Sequence, residues 1–267
     1  MHPLLNIALT AARAAGEHIS RQIHFGKVKI DRKTSYDFVT DVDRAAERIV
    51  IDTIQKHYPE HRILGEESGS LGNPESDIEW IIDPIDGTTN FIYGIPQFCV
   101  SIGIAEKGSV MHGVVLDPMK NEEFTASRGA GAQLNQKRIR VSKQPNMTGA
   151  LIGTGIPFGT HYSDEQLTQY LDTLKAFLPE TAGIRRLGAS ALDLAYVACG
   201  RLDGFWEMNL KPWDIAAGSL LVQEAGGLIG DFSAEMNFLK NGQIIAANPK
   251  LFKPICQILQ PKAAVLR

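Results

Sequence analysis

The chain lacks most of the features that identify a protein quickly. Its 267 residues include only three cysteines, Cys99, Cys199 and Cys256, far apart and with no C-x-x-C pair. An odd, scattered set argues for reduced thiols over a disulfide framework, and so for a cytoplasmic setting. The seven histidines form no H-E-x-x-H motif, and zinc is not expected. No run approaches the roughly 18–20 apolar residues of a membrane span, and the start, Met1-His2-Pro3, lacks the basic and apolar segments of a secretory signal. No membrane partner is expected. The G-x-S-x-G elbow and the G-x-x-x-x-G-K-[ST] loop are missing, and Gly129-x-Gly131 is only a fragment of a dinucleotide fingerprint. A formal charge of −3 gives no electrostatic case for bulk nucleic-acid or membrane binding. There is no internal repeat and no low-complexity tract.

What remains is an ordinary globular composition, 44% hydrophobic and 21% charged, long enough to bury a large core. A helical stripe runs through 3–23, with Ala8, Ala11, Ala12 and Ala15 allowing close packing. Thr40-Asp41-Val42-Asp43 has the form of a helix start, and that helix should end near Tyr58-Pro59. Runs at 98–105, 110–116 and 122–126, separated by turn residues, predict an antiparallel meander. A polar segment from Ser142 to Thr148 divides the chain into halves of roughly 1–145 and 146–267, packed as a single domain. Beyond it the pattern predicts strand 150–154, helices 164–177 and 190–199, and strand 203–208. Helix 213–225, strands 227–231 and 243–247, and helix 248–259 follow. The first half therefore reads as α+β and the second as layered α/β.

The informative stretch is Glu79-Trp80-Ile81-Ile82-Asp83-Pro84-Ile85-Asp86-Gly87-Thr88-Thr89-Asn90-Phe91. Its apolar first half reads as a buried strand that breaks at Asp83-Pro84, so that two carboxylates straddle a turn. Pro84 has no N–H, which leaves nearby carbonyls free to face a cation, and Gly87 permits a tight bend. Thr88-Thr89 then opens a short helix, whose free amides favour an anion. Further acids, Asp43, Glu66, Glu67 and Asp214, stand where other elements begin or end. Taken singly, each is explained as a helix cap or turn residue. Taken together, converging carboxylates need a cation, and oxygen ligands without His or Cys point to Mg²⁺ beside a phosphate. Glycosidases also use paired carboxylates, but they have no need of a helix start shaped for phosphate.

Three segments resemble the motifs of the inositol monophosphatase family: Asp83-Pro84-Ile85-Asp86-Gly87-Thr88-Thr89-Asn90-Phe91, Gly65-Glu66-Glu67-Ser68 and Trp213-Asp214-Ile215-Ala216-Ala217-Gly218. His2-Pro3-Leu4-Leu5-Asn6-Ile7-Ala8 and Ala191-Leu192-Asp193-Leu194-Ala195-Tyr196-Val197 resemble its bacterial branch. The resemblance implies a five-layered αβαβα sandwich of the sugar-phosphatase type, two or three Mg²⁺ per site, lithium sensitivity and a homodimer. By that resemblance Glu66, Asp83 and the carbonyl of Ile85 hold one metal, Asp83, Asp86 and Asp214 a second, and Glu66 with water a third. Asp43, Glu66 and Thr88 are the catalytic set, Asp43 and Thr88 orienting the attacking water. Glu66, Ile85, Asp86 and Asp214 also face the substrate, and the amides of Gly87 and Thr88 hold its phosphate. Arg185, Gly188, Ala189 and Glu207 contact the polyol, while Lys33 lies on a loop that attracts the anion. The implied activity is release of phosphate from inositol 1-phosphate and related polyol phosphates. Fructose 1,6-bisphosphate and 3′-phosphoadenylyl nucleotides are the alternative substrates. The bacterial branch also carries a second expectation, of a scaffold joining Nus factors, RNA polymerase and RNA in transcription antitermination.

Overall fold

A computed structural model of the chain describes residues 2–25, 29–32, 38–157 and 162–263. Small apolar residues every three or four positions make the buried stripe of α1 (Pro3–Phe25). β1 (Ile30–Arg32) and β2 (Phe38–Thr40) form a short antiparallel ladder leading into α2 (Asp41–His57). Thr40 caps α2: its hydroxyl accepts the amides of Val42 and Asp43, and the Asp43 carboxylate accepts the Thr40 amide.

The larger sheet is built from β3 (Arg62–Gly65), β4 (Gly69–Leu71), β5 (Ile78–Asp86), β6 (Cys99–Glu106), β7 (Ser109–Asp117), β8 (Glu122–Ser127), β9 (Gly131–Leu134) and β10 (Lys137–Arg138). Their spatial order is β10-β9-β8-β7-β6-β5-β3-β4, antiparallel throughout except where β3 runs parallel to β5. The meander expected from 98 to 126 is therefore present as β6, β7 and β8. α3 (Thr88–Ile92) is a single short turn between β5 and β6.

The smaller sheet takes β11 (Ala150–Thr154), β12 (Thr181–Arg185), β13 (Gly204–Glu207), β14 (Leu228–Gly230) and β15 (Ile244–Ala247), ordered β12-β11-β13-β15-β14. Its helices are α4 (Asp164–Phe177), α5 (Ser190–Ala198), α6 (Pro212–Glu224), α7 (Phe238–Asn241) and α8 (Phe252–Leu259).

Three buried clusters define five layers. α1 and α2 cover one face of the larger sheet through Leu9, Ile19, Val50 and Ile54 against Trp80, Ile82 and Ile102. α5 and α6 fill the space between the two sheets, with Leu192, Leu194, Leu220 and Leu221 in one continuous core. α4 and α8 close the far side of the smaller sheet through Tyr170, Phe177 and Ile255 around Trp206. The order is αβαβα, as expected. α6 approaches the larger sheet closely because Gly103 and Gly113 lack side chains. An added Cβ would come 2.8 Å from the Ala216 Cβ and 2.9 Å from the Ala217 carbonyl respectively.

Two expectations need correction. β5 does not stop at Asp83-Pro84 but continues to Asp86, its ladder with β6 interrupted between Asp83↔Ser101 and Asp86↔Cys99. Three residues advance on β5 for two on β6, the extra residue of a β-bulge, at a proline that has no N–H to pair. α8 begins at Phe252 and not at 248, because the Asn248 side chain accepts the amides of Lys250 and Leu251 and holds that segment as a turn.

Candidate active site

The β5 bulge decides the chemistry. Strand side chains alternate faces, so acids three positions apart would point to opposite sides of a regular ladder. The extra residue returns Asp86 to the side of Asp83, and Asp83, Asp86 and Asp214 then each offer an oxygen within 4.8 Å of the others. Asp214 arrives from the first turn of α6, where it accepts the Lys211 amide at 2.7 Å. That helix start is pinned to the sheet by the buried Ser101 hydroxyl, which donates to the Trp213 carbonyl at 3.1 Å.

Asp43, Asp86 and Asp214 also accept backbone amides at helix starts. Asp86 caps a helix far from it in sequence, taking the amides of Ser190 at 3.1 Å and Ala191 at 2.7 Å at the start of α5. The buried Cys99 thiol also donates to it, at 3.7 Å. Asp43 caps α2 through one oxygen and with the other accepts the Thr88 hydroxyl at 3.0 Å. The same hydroxyl lies 3.0 Å from the Ile85 carbonyl, so Asp43, Thr88 and Ile85 form one connected set. Gly87 adopts a left-handed φ of 98°, and a Cβ there would lie 2.9 Å from the Gln97 carbonyl, so only glycine fits this turn.

Burial sets the protonation of the site. It raises Asp83 well above the usual carboxylate range, reinforced by the charges of Glu66, Asp86 and Asp214. It lifts Asp86 to about 7 against the opposing effect of the Ala191 amide, and Asp214 to about 7 with help from Asp86. Asp43 is raised by burial as well. Acids so placed stay ionised at neutral pH when a cation shares their charge. The donors are all oxygen, which fits Mg²⁺.

Glu66 stands at the end of β3, close enough to Asp83 to hydrogen-bond with it and raise its pKa. Its turn is fixed by a residue that sequence reasoning missed. Glu47 is buried on α2, one turn after Asp43, and accepts the Glu67 amide at 3.0 Å. A Cβ on Gly65 would meet that carboxylate at 2.3 Å. The available signal was a second acid at i+4 on an otherwise apolar helix face.

Glu207 ends β13, and burial raises it to about 7. Ser190, also missed, donates its hydroxyl to Glu207 at 2.8 Å while its amide donates to Asp86, so it joins the two ends of the site. Ala189 is buried beside Gly87, and Gly188 turns with a φ of 81°. The Asn90 side chain on α3 donates to the Leu187 carbonyl at 2.8 Å and the Gln97 carbonyl at 2.7 Å, fastening this segment to the Gly87 turn. Arg185 is not brought to the cluster. It is exposed, and its guanidinium donates to the Ile184 carbonyl. The guanidinium beside Gly188 belongs to Arg186, whose charge also acts on Glu207; neighbours on extended backbone point to opposite sides. Lys33 lies outside the described residues. No helix among the described residues is long and apolar enough to cross a membrane.

The chain resembles known proteins over nearly its whole length. Nus factor SuhB of Pseudomonas aeruginosa is 53% identical over 264 residues, covering 98% of this chain and 97% of the relative. The crystal structure of extragenic suppressor protein suhB from Bartonella henselae superposes with a TM-score of 0.93 at 39% identity, over 97% of this chain and 99% of that one. The inositol monophosphatase of Anabaena (Nostoc) gives a TM-score of 0.84 at 37% identity, over 97% and 95% of the two chains. The sequence profile of the inositol monophosphatase family matches residues 1–263. By sequence, layer order and the arrangement of its acids, this chain belongs to the inositol monophosphatase family.

Proposed function

We propose that the protein is a Mg²⁺-dependent phosphomonoester hydrolase acting on inositol 1-phosphate and related polyol phosphates. The observation that carries the reading is the convergence of Asp83, Asp86 and Asp214, with Glu66 beside Asp83, next to the Asp43–Thr88 pair. Glu66, Asp83, Asp86, Asp214 and the Ile85 carbonyl would hold two or three Mg²⁺. When bound, the ions neutralise phosphate charge and lower the pKa of water. Thr88 orients the attacking water, and Asp43, its basicity raised by burial, takes up the proton through the Thr88 hydroxyl. The Gly87 and Thr88 amides face the phosphate, while Glu207 and Ser190 meet the hydroxyls of the alcohol. A half-buried carboxylate at that end favours the hydroxyls of a polyol over a second phosphate. Phosphate release from inositol 1-phosphate, fructose 1,6-bisphosphate and a 3′-phosphoadenylyl nucleotide, each with and without Mg²⁺ and Li⁺, tests the reading. Faster turnover of the nucleotide than of inositol 1-phosphate, or turnover indifferent to Mg²⁺, overturns it. We further propose a homodimeric, cytoplasmic protein, to be checked by sedimentation.

A second reading rests on the 53% identity to a protein called a Nus factor. It makes the chain a scaffold that binds RNA polymerase, Nus factors and RNA. The two roles use different chemistry, so Asp86→Asn should abolish hydrolysis and leave partner binding intact.

A further inference from the structure

The Glu207 carboxyl is committed on one side: Oε2 accepts the Ser190 hydroxyl at 2.8 Å. Its other side lies flat against Gly155, just past the end of β11. A Cβ at position 155 would come within 1.7 Å of Oε1, 2.1 Å of Cδ and 2.6 Å of Cγ. Gly155 is not among the residues with left-handed φ, so its backbone does not require glycine. The space does. The Gly155 carbonyl is held in turn by the Tyr170 hydroxyl at 2.6 Å and the Thr154 hydroxyl at 3.1 Å. Tyr170 is buried on α4 with its ring 5.5 Å from that of Trp206, and burial pushes its hydroxyl up to about 12, so it remains a donor.

We propose that Gly155 determines which alcohols the site accepts, by leaving the space in which the Glu207 carboxylate can face a substrate hydroxyl, and that Tyr170 is the positioning residue that holds Gly155 there. The inference rests on the reading of Glu207 as the acceptor for the alcohol. A side chain at 155 forces the carboxylate to turn away from Ser190. The site then loses its advantage for phosphates of polyols over phosphates of alcohols without further hydroxyls. The three nearest atoms all belong to the Glu207 side chain and none to backbone, so Gly155→Ala is expected to fold.

The test compares kcat/KM of the full chain with Mg²⁺ on inositol 1-phosphate and on phenyl phosphate, which is also a phosphate monoester but has no free hydroxyl. Gly155→Ala should lower the ratio of the two about tenfold, through KM for inositol 1-phosphate, as expected when one buried acceptor is misplaced. Tyr170→Phe should lower it in the same direction by roughly threefold. Adding Glu207→Asp to Gly155→Ala shortens the displaced acid and should recover part of the loss, which a merely structural defect would not. A ratio unmoved by Gly155→Ala while Glu207→Ala lowers it overturns the inference alone. A ratio unmoved by Glu207→Ala removes the reading of Glu207, and the inference with it. No turnover of either substrate by the unaltered protein sinks the hydrolase reading itself. An unmoved ratio in Tyr170→Phe removes the positioning role.

Discussion

The carboxylate of Asp86 caps the amide of Ala191 at 2.7 Å, tying the larger sheet to the first turn of α5 across the middle of the molecule. The acid proposed to hold metal is thus also a fastener between layers. Asp86→Asn should lose at least a hundredfold in Mg²⁺-dependent phosphate release, of the order expected when a ligand carboxylate is neutralised. It should also lower the melting temperature by several degrees, because an amide NH₂ replaces one acceptor facing two backbone donors. Steady-state kinetics and calorimetry on one preparation check both.

The same burial gives a pH signature. Burial holds Asp86, Asp214 and Glu207 near 7 in the folded protein, against ordinary values of 3.8, 3.8 and 4.5. Between those limits the native state binds protons that the unfolded chain does not, so this contribution to stability is present at low pH and lost as pH rises through about 7. Mg²⁺ competes with those protons, and the gain in melting temperature on adding it should be larger at pH 8 than at pH 5, by on the order of 5 °C. Scans at both pH values, with and without the ion, decide; an equal gain at both contradicts the assignment.

Glu47 should act through the Glu66 turn. Glu47→Ala leaves the Glu67 amide without its acceptor, and the Mg²⁺ concentration giving half-maximal activity should rise about tenfold with little change in kcat at saturation. Glu47→Gln keeps an oxygen at that place and should recover most of the affinity. Titration of activity with Mg²⁺ separates the two variants.

Asn90 should behave as a structural clasp. Removing its amide in Asn90→Ala strips donors from the Gln97 and Leu187 carbonyls, and should cost about 2–3 kcal/mol in denaturant unfolding. Asn90→Asp, of the same shape but offering only acceptors to carbonyl oxygens, should be worse than alanine.

Local pattern carries much of this architecture. The alternating runs of β6, β7 and β8 and the capped start of α2 are legible because their signals lie within a few residues. β12 is not legible: Thr181-Ala182-Gly183-Ile184-Arg185 has no alternation and is a strand only because β11 runs parallel beside it. The motif acids can be found in the chain, but the bulge that puts Asp83 and Asp86 on one side cannot, since it exists only relative to β6. Ser190 escapes a reading of the sequence for a related reason. It matters through Glu207 and Asp86, both distant in sequence, and no short window along the chain contains all three.

The glycines under α6 would bear on ion choice at the proposed metal site. Asp214 rides on that helix, while Asp83 and Asp86 belong to the sheet beneath it, so the gap between them is gauged by the depth to which α6 settles on Gly103 and Gly113. Oxygen ligands sit about 2.0–2.1 Å from Mg²⁺ and about 2.3–2.6 Å from Ca²⁺. A methyl group at either glycine would lift the helix by a comparable amount, so two positions that never touch the ion would bear on whether the proposed site takes the smaller one.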